Sequence, residues 1–304
     1  MTFLFYGVIA FVLSALLLTK YLGRAGKIRQ ETFKELNARV LSWIVMILVV
    51  SGSLYIGEKT TIVLFTMISF FVLREFLSIT PVIISDYWPL FATFYIVLPI
   101  QYALVAMHYY GLFAIMIPVY SFMFLPTLTS IVGEPRDFLG RVAKIQWAQM
   151  IGIYNISYIP ALFMLNGIHG INSIGLIIFL LIVVQFSDVA QYVFGKLFGK
   201  HKIAPKMSPN KTVEGLIGGG ISAILLGMSL NWLTPFGVVN AGLLSSLLVI
   251  AGFFGGLSLS GVKRSLGTKD WGKSIPGHGG FMDRMDGLTF AAPVFFHVIR
   301  FFWG

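Results

Sequence analysis

Apolar residues along this chain gather in long blocks separated by short polar stretches, with little of the short-period alternation that marks an amphipathic surface element. Blocks of about 20 mainly apolar residues are long enough to cross a hydrocarbon core. They fall at 3–22, 40–57, 60–79, 88–107, 110–131, 145–166, 173–194, 215–233, 236–257 and 287–303. The third is interrupted by Arg74 and Glu75, and the last is short and carries Arg300. Backbone groups at membrane depth must be satisfied within the segment, so these blocks predict helices. The fold expected is all-α, a polytopic transmembrane bundle of about ten helices with a polar site facing the cytoplasm.

The polar stretches fix the orientation. If the helices alternate through the membrane, every Lys and Arg except Lys59 and Arg300 falls on one side, mostly in the segments 24–39, 136–144, 196–211 and 263–284. The positive-inside rule makes that side cytoplasmic. The expected location is the cell's inner (plasma) membrane. Composition agrees: 57% of the 304 residues are hydrophobic, more than a soluble domain of this size could bury. The formal charge of +10 then follows from topology and gives no reason to expect nucleic acid. Absence of cysteine removes disulfides, thiolate metal sites and cysteine nucleophiles. The N-terminus lacks a basic region and a small-residue cleavage site, so its apolar block is expected to be retained. With no long linker or internal repeat, residues 1–304 read as a single integral membrane domain, residues 1–166 as N-terminal helices and 167–304 as a catalytic portion.

One stretch departs from the apolar background. Residues 260–286 read SGVKRSLGTKDWGKSIPGHGGFMDRMD. Lys263, Arg264, Lys269, Lys273 and Arg284 suit a polyphosphate, and Asp270, Asp283 and Asp286 are hard oxygen ligands of the kind Mg²⁺ prefers. Gly277, Gly279 and Gly280 allow close backbone approach to an anion. Anchoring to anionic lipid is the simpler alternative for the cations. It leaves the aspartates and the Pro-Gly-His-Gly-Gly turn without a reason. Within block 173–194, Asp188 is a carboxylate at membrane depth, costly unless it faces water or a partner. Helical spacing puts Asp188, Gln191, Tyr192 and Gly195 on one face. A salt bridge from Asp188 to Lys211 or Arg264 is the structural alternative. Lys211 lies in Ser208-Pro209-Asn210-Lys211-Thr212, just before a Gly-rich helix whose N-terminal amides favour anions. Gly218–Gly220 and Gly252–Gly256 read as close helix packing. Arg74 and Glu75 read as a seating charge pair or as participants, and Asp86 as a lone carboxylate whose replacement should be mild.

The pattern S-x-x-K-R, four residues, K-D, then P-G-H-G-G-x-x-D-R-x-D resembles the signature of the phosphatidate cytidylyltransferase (CDP-diacylglycerol synthase) family. The stretch from Ser187-Asp188 through Gly195-Lys196 to Ser208–Gly215 resembles that family's other cytosolic segment. The resemblance covers the chain from Ser187 onward. It implies attack of a lipid phosphate on the α-phosphate of CTP, giving CDP-diacylglycerol and pyrophosphate without a covalent intermediate. Both partners are anions, so cations must offset their repulsion. Lys263, Arg264, Asp283 and Asp188 are expected to be catalytic, with Asp283, Asp188 and Asp286 holding Mg²⁺ and a second cation as a further option. Substrate contacts are expected from Lys211, Asn210, Ser208, Ser260, Lys269, His278, Gly279, Gly280 and Arg284. His278 fits phosphate contact better than base catalysis, because the attacking phosphate has already lost its proton near neutral pH. Expected partners are CTP, phosphatidate or a related lipid phosphate, membrane lipids and a second copy of the chain as a homodimer. The family's usual G-D-L-x-E-S is here Gly255-Gly256-Leu257-Ser258-Leu259-Ser260, so Gly256 and Leu259 replace two carboxylates. A CTP-dependent lipid kinase would use similar parts to move the γ-phosphate. A non-catalytic lipid-binding or assembly relative would explain Gly256 and Leu259, and a transporter would need charges along a through-path.

Overall fold

The apolar blocks from residue 40 onward each become a helix in the computed structural model, which describes residues 30–132 and 134–303. The block at 3–22 lies outside the described residues. The helices are α1 (Gln30–Ile56), α2 (Glu58–Ile79), α3 (Ile84–Ala106), α4 (Tyr110–Ile131), α5 (Phe138–Leu165), α6 (Ser173–Phe198), α7 (Val213–Ser229), α8 (Val238–Ser265) and α9 (Phe281–Trp303). All but α7 are long and apolar enough to cross a membrane, so the chain is an integral membrane protein with an all-α bundle. Strand is confined, among the described residues, to an antiparallel hairpin of β1 (Lys202–Ala204) and β2 (Ser208–Thr212) between α6 and α7.

Side chains of α2, α5, α6 and α9 make one continuous core, with Leu73, Phe76, Tyr158, Phe179, Leu180, Phe295 and Phe296 all buried. Glycines set the spacing on the α7 side. A Cβ at Gly219 would stand 2.4 Å from the Gln191 amide nitrogen, and one at Gly218 2.4 Å from the Phe194 ring. In lipid, where helices gain nothing by hiding apolar surface from one another, small residues permit the backbone contact that holds them together. Packing is therefore what Gly218 and Gly219 supply.

The middle spans are less regular than their hydropathy suggests. π-helical turns occupy Thr93–Val97, Met116–Ser121 and Met150–Tyr154. Pro99 and Pro118 remove helix donors in or beside two of them. Next to the turns, Gln149 donates to Thr93 Oγ1 at 2.8 Å and accepts from Ser121 Oγ at 2.7 Å, which satisfies three buried polar groups without water.

Asp86 is not a lone carboxylate. Its Oδ1 accepts from Arg141 Nε at 2.8 Å and its Oδ2 from the Ile83 amide, and both side chains are almost fully buried. Arg141 also donates to the carbonyls of Glu134 and Arg136. The residues are 55 positions apart in sequence, so helical spacing gave no hint that they pair.

Candidate active site

The segment joining α8 to α9 is folded by carboxylates, and one of them comes from the N-terminal half. Glu75 on α2 is buried and accepts from Ser274 Oγ at 2.6 Å and from the Met282 amide at 3.0 Å. Arg74 beside it is exposed, so the two do not form the expected pair. Glycine is required where the segment meets Glu75: a Cβ at Gly280 would lie 2.3 Å from Glu75 Oε2, and one at Gly272 2.8 Å from Oε1. Trp271 is buried and stacks on Phe76 of α2 at 5.1 Å.

Asp283, in the first turn of α9, commits both oxygens. Oδ1 accepts from Lys263 Nζ at 2.9 Å, and Oδ2 accepts from the Trp271 and Gly280 amides, each at 3.0 Å. It thereby satisfies an orphan donor at the start of α9 and pins the segment to the end of α8. In this structure both oxygens of Asp283, expected as a metal ligand, are taken up by Lys263 and the two amides. Gly279 has φ +80° and would bring a Cβ to 2.9 Å from Asp283 Oδ2. A Cβ at either Gly279 or Gly280 would thus meet a carboxylate of the protein itself.

Behind this segment is a cavity of about 260 Å³. α6 contributes Asp188, Gln191 and Tyr192; β2 contributes Ser208, Asn210, Lys211 and Thr212; α8 contributes Phe253 and Gly256; α9 contributes Asp283, Arg284 and Asp286. Asp188, Asp286, Lys211 and Arg284 are close enough for their charges to interact. Lys211 Nζ sits 4.6 Å from the centre of the Phe253 ring and donates to the Phe253 carbonyl at 3.4 Å. Burial pushes its pKa down, Asp188 and Asp286 push it back up, and Lys263 adds to the lowering. The α7 N-terminus beside it is capped by Thr212, which accepts from the Gly215 amide at 3.1 Å.

Other expected contacts lie outside the cavity. Arg264 is exposed and donates to the carbonyls of Met207 and Thr268. Ser260 donates back to the Gly256 carbonyl at 2.6 Å, and Lys269 is exposed. His278 lies in the Pro276–Gly279 turn, outside the cavity lining. The two departures from the family pattern separate cleanly. A Cβ at Gly256 would stand 2.9 Å from Lys211 Nζ and 3.9 Å from Asp286 Oδ2, so that position faces the charges. Leu259 is fully buried in the hydrophobic core.

The donor set suits a divalent cation. Asp188 accepts no hydrogen bond from the described residues, and Asp286 accepts one, from the Gly287 amide to Oδ1, leaving Oδ2 open. No group of three or more His, Asp or Glu side chains among the described residues could hold a metal. Two carboxylates completed by phosphate oxygens and water is the way Mg²⁺ is usually held beside nucleotides. A larger hollow of about 570 Å³ at the end of α9, lined by Tyr110, His297 and Arg300 among others, carries no carboxylate and lacks this chemistry.

Glu75 is the residue that motif reading under-used, because its role depends on a segment about 200 positions away. Its removal is expected to strand the Met282 amide and the Ser274 hydroxyl, costing about 1–3 kcal/mol. Glu75→Ala should therefore lower the unfolding midpoint and activity together. Arg74→Ala should change stability by no more than about 0.5 kcal/mol. Equal effects from the two in a thermal unfolding assay would contradict the clamp.

The sequence profile of the cytidylyltransferase family matches residues 37–302. The uncharacterized protein YnbB of Escherichia coli (strain K12) is 36% identical over 272 residues, which is 88% of either chain. A phosphatidate cytidylyltransferase of Staphylococcus haemolyticus is 37% identical over 145 residues, 47% of this chain and 55% of that protein. Another from Staphylococcus aureus is 39% identical over 121 residues, 39% of this chain and 46% of that protein. The chain spans about half the length of these two phosphatidate cytidylyltransferases. With the family profile matched across both halves of the bundle and the signature segment folded against a charged cavity, the chain belongs to the cytidylyltransferase family and is a membrane-embedded nucleotidyltransferase.

Proposed function

We propose that this protein transfers a cytidylyl group from CTP to phosphatidate at the cytoplasmic membrane face. An oxygen of the lipid phosphate bonds to the α-phosphorus of CTP, the bond from that phosphorus to the bridging oxygen of the β-phosphate breaks, and pyrophosphate leaves with its electron pair. CDP-diacylglycerol stays in the bilayer. The observation that carries this reading is the convergence of Asp188, Asp286, Lys211 and Arg284 on one cavity beside the signature segment.

Asp188 and Asp286 are the groups that would hold Mg²⁺. When bound, that ion would offset the charge of the triphosphate and of the developing pyrophosphate. Lys211 faces the same space and lowers the repulsion between two anionic substrates. Arg284, with its planar fork of donors, suits bidentate contact with a phosphate. Lys263, balanced by Asp283, keeps the end of α8 beside α9 and so sets the cavity's width. No general base is needed, because the attacking oxygen is already ionised near neutral pH.

The test is purified protein with phosphatidate, Mg²⁺ and CTP labelled on the α-phosphate in one sample and on the γ-phosphate in another. The α-label should enter the lipid while the γ-label leaves as pyrophosphate. Transfer of γ-label to lipid with release of CDP would make the protein a lipid kinase. Label in neither product would favour a lipid-binding relative.

A further inference from the structure

Two polar atoms next to the cavity are left without partners. Arg284 lines the cavity, yet its Nε is buried and makes no hydrogen bond; His278 Nδ1 is in the same condition. The two residues are neighbours. Burial lowers the His278 pKa, the charges of Arg284 and Arg39 lower it further, and the Pro276 carbonyl opposes them. A buried donor left unsatisfied costs about 1–3 kcal/mol. The unpartnered Arg284 Nε, with the His278 imidazole near it and Arg39 close by, describes a place that an anion completes.

Position distinguishes which anion. The His278 turn is closed by α1: Trp43 meets the imidazole edge-on at 5.9 Å, Ser42 Oγ donates to the Pro276 carbonyl at 2.8 Å, and a Cβ at Gly277 would be 2.8 Å from Arg39 Cγ. Only 11% of the apolar window of α1 is buried within the protein. Leu41, Val45 and Leu48 are each more than half exposed, an apolar surface on the same helix as Arg39. The polar β2 strand with Lys211 also lines the cavity. A phosphate whose acyl chains remain in the bilayer can reach Arg284 along α1, whereas a soluble nucleotide meets the β2 wall.

Building on the cytidylyltransfer reading, we infer that His278, Arg284 and Arg39 form a subsite for the phosphate monoester of the lipid acceptor, separate from the Lys211 wall that receives the nucleotide. Arg284 links the two, since it lines the cavity and also neighbours His278. That arrangement would present the lipid phosphate to the nucleotide from the bilayer side.

The test measures equilibrium binding of dihexanoyl phosphatidate and of CTP separately, on the full chain in detergent micelles. A hydrogen bond to a charged group accounts for about a tenfold change in affinity or more. His278→Gln is expected to weaken dihexanoyl phosphatidate about tenfold and to leave CTP within about twofold. Lys211→Ala should do the reverse. Arg39→Gln, at an exposed position, should weaken the lipid a few-fold, with the unfolding midpoint measured alongside. Dihexanoyl phosphatidylcholine, a phosphodiester of the same size, should not compete, and inorganic phosphate should compete only weakly and only with the lipid. The subsite is overturned if His278→Gln and Arg39→Gln weaken CTP as much as the lipid, or weaken neither. Binding of neither ligand by the unaltered protein removes the functional reading and the subsite with it, a result distinguishable from loss of the subsite alone.

Discussion

Asp188→Asn is expected to lower turnover by at least ~100-fold, equivalent to about 2.7 kcal/mol in the barrier. Asparagine keeps the shape and one acceptor oxygen but removes the charge that would hold the cation between two carboxylates. Nothing in the described structure takes over, since Asp188 accepts no hydrogen bond there and Asp283 is already occupied by Lys263 and two amides. The same reasoning applies to Asp286→Asn. Asp283→Asn acts differently, by releasing Lys263 and loosening the signature segment, so it should reduce stability as well as rate. Initial rates and unfolding midpoints measured on all three variants separate these effects. Near-normal turnover in Asp188→Asn would remove that residue from the mechanism.

The largest effect on stability is expected far from the cavity. Asp86→Asn leaves Arg141 charged, nearly fully buried and without its counter-ion. Breaking a buried pair by removing one partner costs about 3–5 kcal/mol, much more than the pair's net contribution, because the remaining charge stays out of water. A useful comparison is Asp137→Asn. Asp137 pairs with Lys144 at 3.4 Å with its side chain 61% exposed, and surface pairs of that kind contribute about 0–1 kcal/mol. Unfolding of the two variants in detergent should therefore differ sharply, and similar midpoints would mean that water reaches Arg141.

The helices were legible because a bilayer forces each apolar block to satisfy its own backbone, which ties length and composition to structure. The signature segment was legible because its charges stand out against a chain with only 11% charged residues. What could not be read was which carboxylate does what. Asp283 and Asp286 are three positions apart on one helix and both line the cavity, yet Asp283 has both oxygens hydrogen-bonded to Lys263 and two amides while Asp286 keeps Oδ2 open. Glu75 and Asp86 looked like incidental charges because their partners, Ser274, Met282 and Arg141, come from other helices and loops. The π-helical turns were equally hidden, since hydropathy does not register an extra residue in a turn. At Gly256 the missing side chain became informative only when the structure placed Lys211 in the space.

The central claim is that Asp188 and Asp286 hold a divalent cation together with the nucleotide. Mn²⁺ binding followed by electron paramagnetic resonance, with and without CTP, addresses it without depending on turnover. Tight Mn²⁺ binding that requires CTP, is lost in both Asp188→Asn and Asp286→Asn and persists in Asp137→Asn is the result predicted. Undiminished CTP-dependent binding in both cavity variants would contradict the assignment.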